Sequence, residues 1–226
     1  LKKELQFGIK SLMTPPYNPY TFLEFSESCA IFQSCVGQIA EDVVGNGYSL
    51  ELNEGQEENA ETKAEYERIN KLIEHANPKE TLREVFNKAV VDYGTIGWFG
   101  IEAIDSKDTN TKEVEIAELY HIPAHTLRVH KNGEKYCQLR NDKRMWFKDI
   151  TSEDDIDERT GEKISGEGSE NKANSLIYFK RYYAKSSYYG IPNIITALGS
   201  VIGLLGIRDY NLAFFENYGV PVALIT

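Results

Sequence analysis

Several groups of residues in this chain have types and spacings that could do chemistry. His121 and His125 stand four apart, the interval at which a helix brings two imidazoles to one metal ion. Pro123 between them, a strand-rich neighbourhood and the lack of a Glu after His121 argue for two loop or sheet-edge histidines instead. His75 and His130 stand alone and are expected at the surface. Asp155 and Asp157 open like a calcium loop, but Arg159 takes the third ligand position. Thr160 replaces the turn glycine, and Gly166 stands where a bidentate Glu is required. Tyr178, Tyr182, Tyr183, Tyr188 and Tyr189 interleave with Lys180, Arg181 and Lys185, a pattern that would stack bases and neutralise phosphates of a single strand. A half-buried strand with one solvated face explains the same alternation and is the preferred reading. No G-x-x-x-x-G-K-[ST] loop, no G-x-G-x-x-G after a strand and no G-x-S-x-G elbow occurs. Neither catalytic residues nor a cofactor nor a metal is expected.

The three cysteines, Cys29, Cys35 and Cys137, form an odd set without metal-type spacing. Cys29 and Cys35 lie six apart on a predicted helix and so on different stripes, and buried reduced thiols are expected. The chain carries 25 Lys and Arg against 35 Asp and Glu, a formal charge of −10. That balance disfavours a protein that grips nucleic acid by neutralising phosphates over its whole surface. It does not argue against a protein that lets DNA pass, since every neutralised phosphate adds affinity and hence friction, and a net negative charge is common enough to say little about partners on its own.

The elements that would position any site are legible from periodicity. Leu1 to Tyr20, with Pro15, Pro16 and Pro19, reads as an extended arm. Ile31, Phe32, Cys35, Val36, Ile39 and Val43 predict a helix running from Phe22 to the Gly45-Asn46-Gly47 turn. Tyr48, Leu50 and Leu52 alternate as a strand. A polar stretch leads into a helix containing Ile69, Leu72 and Ile73, and Pro78 opens another containing Val85, Phe86, Ala89 and Val90. Strands are predicted over 98–104, 114–120, 126–130, 136–139, 144–148 and 175–183, with Asn132-Gly133 marking a hairpin. Residues 151–174 hold eight Asp and Glu against three Lys and Arg and predict an acidic, solvated, mobile loop.

The most specific string follows. A charge-free run opens after Lys185 and ends at Arg208. It is flanked by Tyr189-Gly190-Ile191-Pro192 and by Phe214-Phe215-Glu216-Asn217-Tyr218-Gly219-Val220-Pro221. Gly-x-Pro suits a turn into a first helical turn, and Asn-x-Gly-x-Pro suits its end. One helix of roughly 25 residues is implied, ~38 Å long. Gly199, Gly203 and Gly206 fall on one stripe, each costing about 1 kcal/mol relative to Ala, so close approach by another helix is expected to offset them. Ile194, Leu198, Val201, Leu205 and Leu212 recur on other faces, as they would in a buried core helix too. The strongly apolar part of the run is only about 14 residues, short of the ~20 that cross a bilayer.

The combination Tyr189-Gly190-x-Pro192, helix, Phe214-Phe215-x-Asn217-x-Gly219-x-Pro221 resembles the portal proteins of tailed bacteriophages, in the branch that includes the PBSX-type and HK97-type portals. Cys29 through Gly47 is similar to their N-terminal helix and glycine turn. The chain departs at Ala223, where such portals often carry Gly after the proline. The resemblance implies an α+β, wing-like domain over 21–185, a long projecting stem helix over 186–219, and at 220–226 a strand leading to a clip. The absence of an initial Met and the stop within a β-type run fit an N-terminal part of a longer polypeptide. It also implies a dodecameric ring of this chain at one capsid vertex of the virion. That ring would pass double-stranded DNA and meet terminase, head-tail adaptor and capsid proteins, with no membrane. Gly199, Gly203 and Gly206 would then form subunit contacts, and Arg208, Asn211 and Asn217 are the polar residues late in the helix that could face a channel. Two other readings are a monomeric enzyme with a Tyr and Asp/Glu site on the β-rich middle, and a protein inserting its apolar helix into a membrane.

Overall fold

The computed structural model describes residues 11–53, 55, 59–105, 115–164 and 171–216. Local capping chemistry starts its helices. Asn18 accepts from the Tyr20 amide in front of Pro19 and opens α1 (Pro19–Ser28). The chain breaks at Cys29 and resumes as α2 (Ala30–Val44). Reciprocal capping boxes, Asn59 with Thr62 and Thr81 with Glu84, open α3 (Ala60–Glu74) and α4 (Leu82–Thr95). Strands β1 (Trp98–Asp105), β2 (Ile116–Ile122), β3 (Leu127–Val129), β4 (Lys135–Arg140), β5 (Lys143–Asp149) and β6 (Ser175–Lys180) follow, then α5 (Ile194–Glu216).

The strands form one mixed sheet in the order β2-β1-β6-β5-β4-β3. All neighbours are antiparallel except β5 and β6, which pair in parallel over Lys148–Asp149 and Ser175–Leu176. The excursion between β5 and β6 makes that parallel step possible, because it returns the chain to the same end of the sheet. Helices before the sheet, a mixed sheet and a long final helix make the fold α+β, as the sequence implies.

Both faces of β1 are covered. Ile101 and Ala103 face Val85 and Ala89 of α4 and, on β2, Leu119. Trp98 belongs to a second cluster with Leu127, Tyr136, Phe147, Leu176 and Tyr189. Burying both faces of one strand is why the run from Trp98 to Ala103 does not alternate cleanly between apolar and polar.

Several local expectations change. The helix expected from Phe22 to Val43 is two helices, because Cys29 adopts an extended backbone (φ −116°, ψ 96°) while its N–H still bonds the Phe25 carbonyl. Tyr48, Leu50 and Leu52 form no strand: no described residue pairs with that segment as a ladder, and the Tyr48 ring instead lies 6.0 Å from the Phe86 ring. The helix expected at Pro78 begins at Leu82, since Pro78 lies in a turn bridged by Asn77 and Glu80 and the capping box comes afterwards. Cys29 and Cys137 are buried thiols, whereas Cys35 is exposed. Burial pushes the Cys137 thiol up to about 12.

The largest change concerns the acidic segment 151–174, expected as a mobile solvated loop. Its described part is a folded lobe. Ile156 and Ala173 are buried with Trp146 and Cys137. The Trp146 amide donates to the Glu158 carbonyl at 2.8 Å, and Ile156 bridges Lys163 while Asp157 bridges Lys172. Asp155 pairs with Lys148 at 3.2 Å and Lys172 at 2.9 Å. Burial would raise that carboxyl, but the two lysines outweigh it and hold it below its ordinary value. The described part of the N-terminal arm is likewise docked: the Met13 amide donates to Val129 and Leu12 bridges His130, adding to the β3 edge.

Candidate assembly surface

The long helix is built on a crossing of two backbones. Gly97 leaves α4 with φ +98°, a conformation side chains rarely adopt. A Cβ there would stand 2.6 Å from the Ile191 carbonyl carbon, and one on Gly190 would stand 2.3 Å from the Gly97 oxygen. The segment that launches α5 therefore lies directly on the segment that launches β1. The Arg181 amide donates to the Gly97 carbonyl at 2.8 Å and ties the end of β6 into the same crossing.

Aromatic rings clamp it. Tyr189 is fully buried, with its ring 4.8 Å from that of Trp98. Its hydroxyl accepts from the Val129 amide at 2.9 Å and donates to the Met13 carbonyl at 2.8 Å. Tyr17 packs edge-on to Phe22 at 4.5 Å, and its hydroxyl donates to the Ile96 carbonyl. Burial holds the Tyr17 and Tyr136 hydroxyls far above the phenol range, so both stay neutral donors. Pro192 is buried at the exit, and the helix begins two residues later, at Ile194.

From this anchor α5 runs 23 residues. Ile194 (5% exposed) and Val201 (7%) pack on Phe22 and Cys29, with Phe32, Ile195 and Leu205 at the margin. Higher up, Arg208 reaches back to donate to the Ser28 carbonyl at 3.2 Å, satisfying an acceptor at the end of α1, and also pairs with Asp209. Ile194 and Val201 are the only buried residues of the helix. Ile207 (60%), Tyr210 (70%), Phe215 (74%), Ile202, Leu204, Leu212 and Phe214 are all exposed large apolar side chains.

Of the residues singled out in the sequence, Gly199, Gly203, Gly206 and Asn211 fall on this open surface. Outside the helix's own backbone, no described residue comes within 4 Å of a Cβ built on Gly199, Gly203 or Gly206, so the described residues leave the small stripe uncovered. Asn211 is exposed, Arg208 is engaged with Ser28, and Asn217, like the expected clip strand at 220–226, lies outside the described residues. The histidines serve packing. His121 bonds Asp92 at 2.8 Å on the edge strand β2, while His125 meets Tyr20 edge-on at 5.0 Å, where burial lowers its pKa. Of the tyrosine cluster, Tyr178 and Tyr189 face the core, Tyr188 donates to the Lys131 carbonyl, and Tyr182 alone is fully out. Arg181 lies over the Tyr93 ring at 5.4 Å. No group of three or more His, Cys, Asp and Glu is arranged to hold a metal among the described residues. No described helix is long and apolar enough to cross a membrane.

What sequence reasoning missed is the anchor's other half. From the sequence alone Gly94 and Gly97 only end the helix that contains Val85 and Ala89, and the contact of Gly97 with Gly190 shows it to be a crossing point. A signal existed: both glycines adjoin large buried residues, Trp98 and Tyr189, that have to meet closely.

Comparison with known proteins adds to this geometry. The chain is 24% identical over 245 aligned residues to the phage-like element PBSX protein XkdE of Bacillus subtilis (strain 168), a match covering 95% of this chain and 48% of the relative. Its fold is that of a chain in the neck of an empty GTA particle (TM-score 0.63, 11% identity, 94% of this chain and 50% of the other). A chain in the virion of a native gene transfer agent (GTA) particle shares it as well (0.63, 12%, 96% and 50%). The chain thus spans about half the length of each of these relatives. No family model matches it.

Proposed function

We propose that this chain is the N-terminal part of a portal subunit: a structural protein, without catalysis, that joins copies of itself into a ring at the capsid vertex of a phage-like particle. In this reading twelve copies surround a channel through which double-stranded DNA is packaged and ejected, and the ring meets terminase on one occasion and a head-tail adaptor on another. The observation that carries the reading is α5, a 23-residue helix with two buried residues, an open glycine stripe and a run of exposed apolar side chains. Such a surface needs a partner, and an identical helix turned about a ring axis supplies one. A neck solved with C6 symmetry contains a chain of the same fold, which favours cyclic over two-fold assembly. The relative named for a phage-like element favours the same class of particle.

Among the described residues the helix is held from Ile194 to Arg208, so its direction is set by the Gly97–Gly190 crossing and the contacts with α1 and α2, and its remaining faces are open to meet neighbours. The test is mass in solution and negative-stain imaging of the full polypeptide. Rings are expected, and Gly203→Leu, whose new Cβ meets no described residue outside the helix, should abolish them without destabilising the single chain, since Leu recovers the roughly 1 kcal/mol that Gly costs in a helix. A full polypeptide that stays monomeric across salt conditions, or a Gly203→Leu variant that assembles normally, would count against this reading.

A further inference from the structure

Helix α2 carries two apolar faces, and the described residues cover one of them. Val36, Ala40 and Val44 are buried. On that side Val36 stands 3.0 Å from a Cβ placed on Gly94 of α4, and Glu41 accepts from Asn87 and Arg83 of the same helix. Ile31, Cys35, Ile39 and Val43 follow one another at intervals of four, which makes them a ridge along the helix surface. All four are exposed, Ile31 by 62%, Ile39 by 54% and Val43 by 65%. A contiguous apolar ridge in water marks a contact surface.

The seat that α5 already occupies points to what fits the ridge. Phe32, in the first turn of α2, joins the cluster in which Ile194 and Val201 of α5 meet Phe22 and Cys29. No later residue of α2 belongs to that cluster, so α5 passes over the start of α2 and does not run along it. Ile39 comes seven residues after Phe32, about 20° around the helix and so on the same face, and about 10.5 Å further along. Packed helices lie about 8–10 Å apart, axis to axis. A second rod laid beside α5 therefore comes down on Ile39, between Cys35 and Val43. The exposed apolar side chains of α5 bring about 700 Å² to a contact between adjacent rods, at roughly 100 Å² each. Cys35, Ile39 and Val43 add roughly 300 Å², which lifts the total to the ~1,000 Å² of a specific interface.

We infer that α2 seats two copies of α5 side by side, its own over Phe32 and that of the next subunit over Ile39. The inference rests on the ring reading for the second copy and adds the surface that receives it. Ile202 and Leu204 flank the buried Val201 on its two sides, and both are exposed. Whichever flank turns toward the next subunit thus presents an apolar side chain to Ile39. The contact joins two different patches of the same chain, as a heterologous interface that closes about an axis requires.

The experiment follows the mass of the full polypeptide in solution while one side of α2 is altered at a time. Ile39→Asp should raise the concentration at which rings form about tenfold or more, because a charge replaces an apolar side chain at the centre of a contact. Ser34→Asp, on the exposed side of α2 away from the ridge, should leave it within about twofold. Circular dichroism should show both variants folded, since both positions are exposed. Cys35 supplies a native thiol beside the seat. Combined with Ile202→Cys or with Leu204→Cys and oxidised, it should give in one of the two a ladder of linked multimers on a non-reducing gel, with the bridge located by peptide mapping. Normal assembly by Ile39→Asp, no ladder from either variant, or linkage of Cys35 only to Cys35 would overturn the inference. Closed rings without a ladder sink this inference alone. A ladder from a chain that forms only open oligomers sinks the portal reading alone, and a chain that stays monomeric sinks both.

Discussion

Replacing Gly97 with Ala puts the backbone crossing under direct load. At φ +98° an L-residue is strained by roughly 1–2 kcal/mol before any contact is considered. The added Cβ would also stand 2.6 Å from the carbonyl carbon of Ile191 and 2.9 Å from its N and Cα, all backbone atoms that cannot rotate away. Relief requires moving either the start of β1, where Trp98 is fully buried, or the segment between Tyr189 and Pro192, both also buried. A total cost of about 3 kcal/mol or more follows, and at roughly 2–4 °C per kcal/mol for a chain of this size the melting temperature should fall by about 6–12 °C. The control is Gly133→Ala at the hairpin between β3 and β4, with φ +79° and nothing within 4 Å of the new Cβ. It carries conformational strain without collision and should cost only about 1 kcal/mol. Thermal unfolding followed by circular dichroism compares the two. If Gly97→Ala melts within about 2 °C of Gly133→Ala, the crossing is not a tight one and the argument that it aims α5 is wrong.

Tyr189→Phe should cost about 1–3 kcal/mol in urea unfolding, because it leaves the buried Val129 amide and Met13 carbonyl without their hydroxyl partner. Ile156→Ala should cost about 2–4 kcal/mol in the same assay, the price of a core cavity, whereas a solvated loop would register nothing. Burial raises the Glu102 carboxyl above its ordinary value, even though Asn174 donates to it at 2.6 Å. A raised folded value means stability is fully present below the unfolded pKa and is lost as pH rises through the folded one. Glu102→Gln should therefore stabilise the chain at neutral pH, with the gain vanishing as the pH falls below about 4.

How much of this was legible depended on whether the deciding contact was local. The caps and breakers are local, so the launch of α5 after Gly190 and Pro192, the stop of α2 at Gly45 and the Asn132-Gly133 hairpin could all be read from neighbouring residues. The order of the sheet is not local: β6 inserts between β1 and β5 through a pairing that no turn signal announces. The acidic lobe misled because composition averages over a segment, while two buried side chains, Ile156 and Ala173, and a pair of lysines on Asp155 suffice to fold it. The candidate glycines were legible as a stripe, but only coordinates show that the described residues leave that stripe bare.

The same distinction bears on why α5 is apolar almost all round. An ordinary surface helix hides one face and solvates the other, and a helix apolar on every side is normally sunk in a core. This one is neither, since its base meets α1 and α2 while seven large apolar side chains remain in water. Each such side chain moved out of water contributes about 1–2 kcal/mol, so the helix holds more favourable burial in reserve than its own chain can use. Arg208 shows where that use stops: it ends the contact with α1 by capping Ser28, and above it Tyr210, Leu212, Phe214 and Phe215 meet one another at most and stay exposed among the described residues. A rod braced at one end by interlocked glycines and left apolar at the other gains by lying beside something that fits it, and the proposed ring, with repeated copies around an axis, would bury each rod on both sides with a single kind of contact.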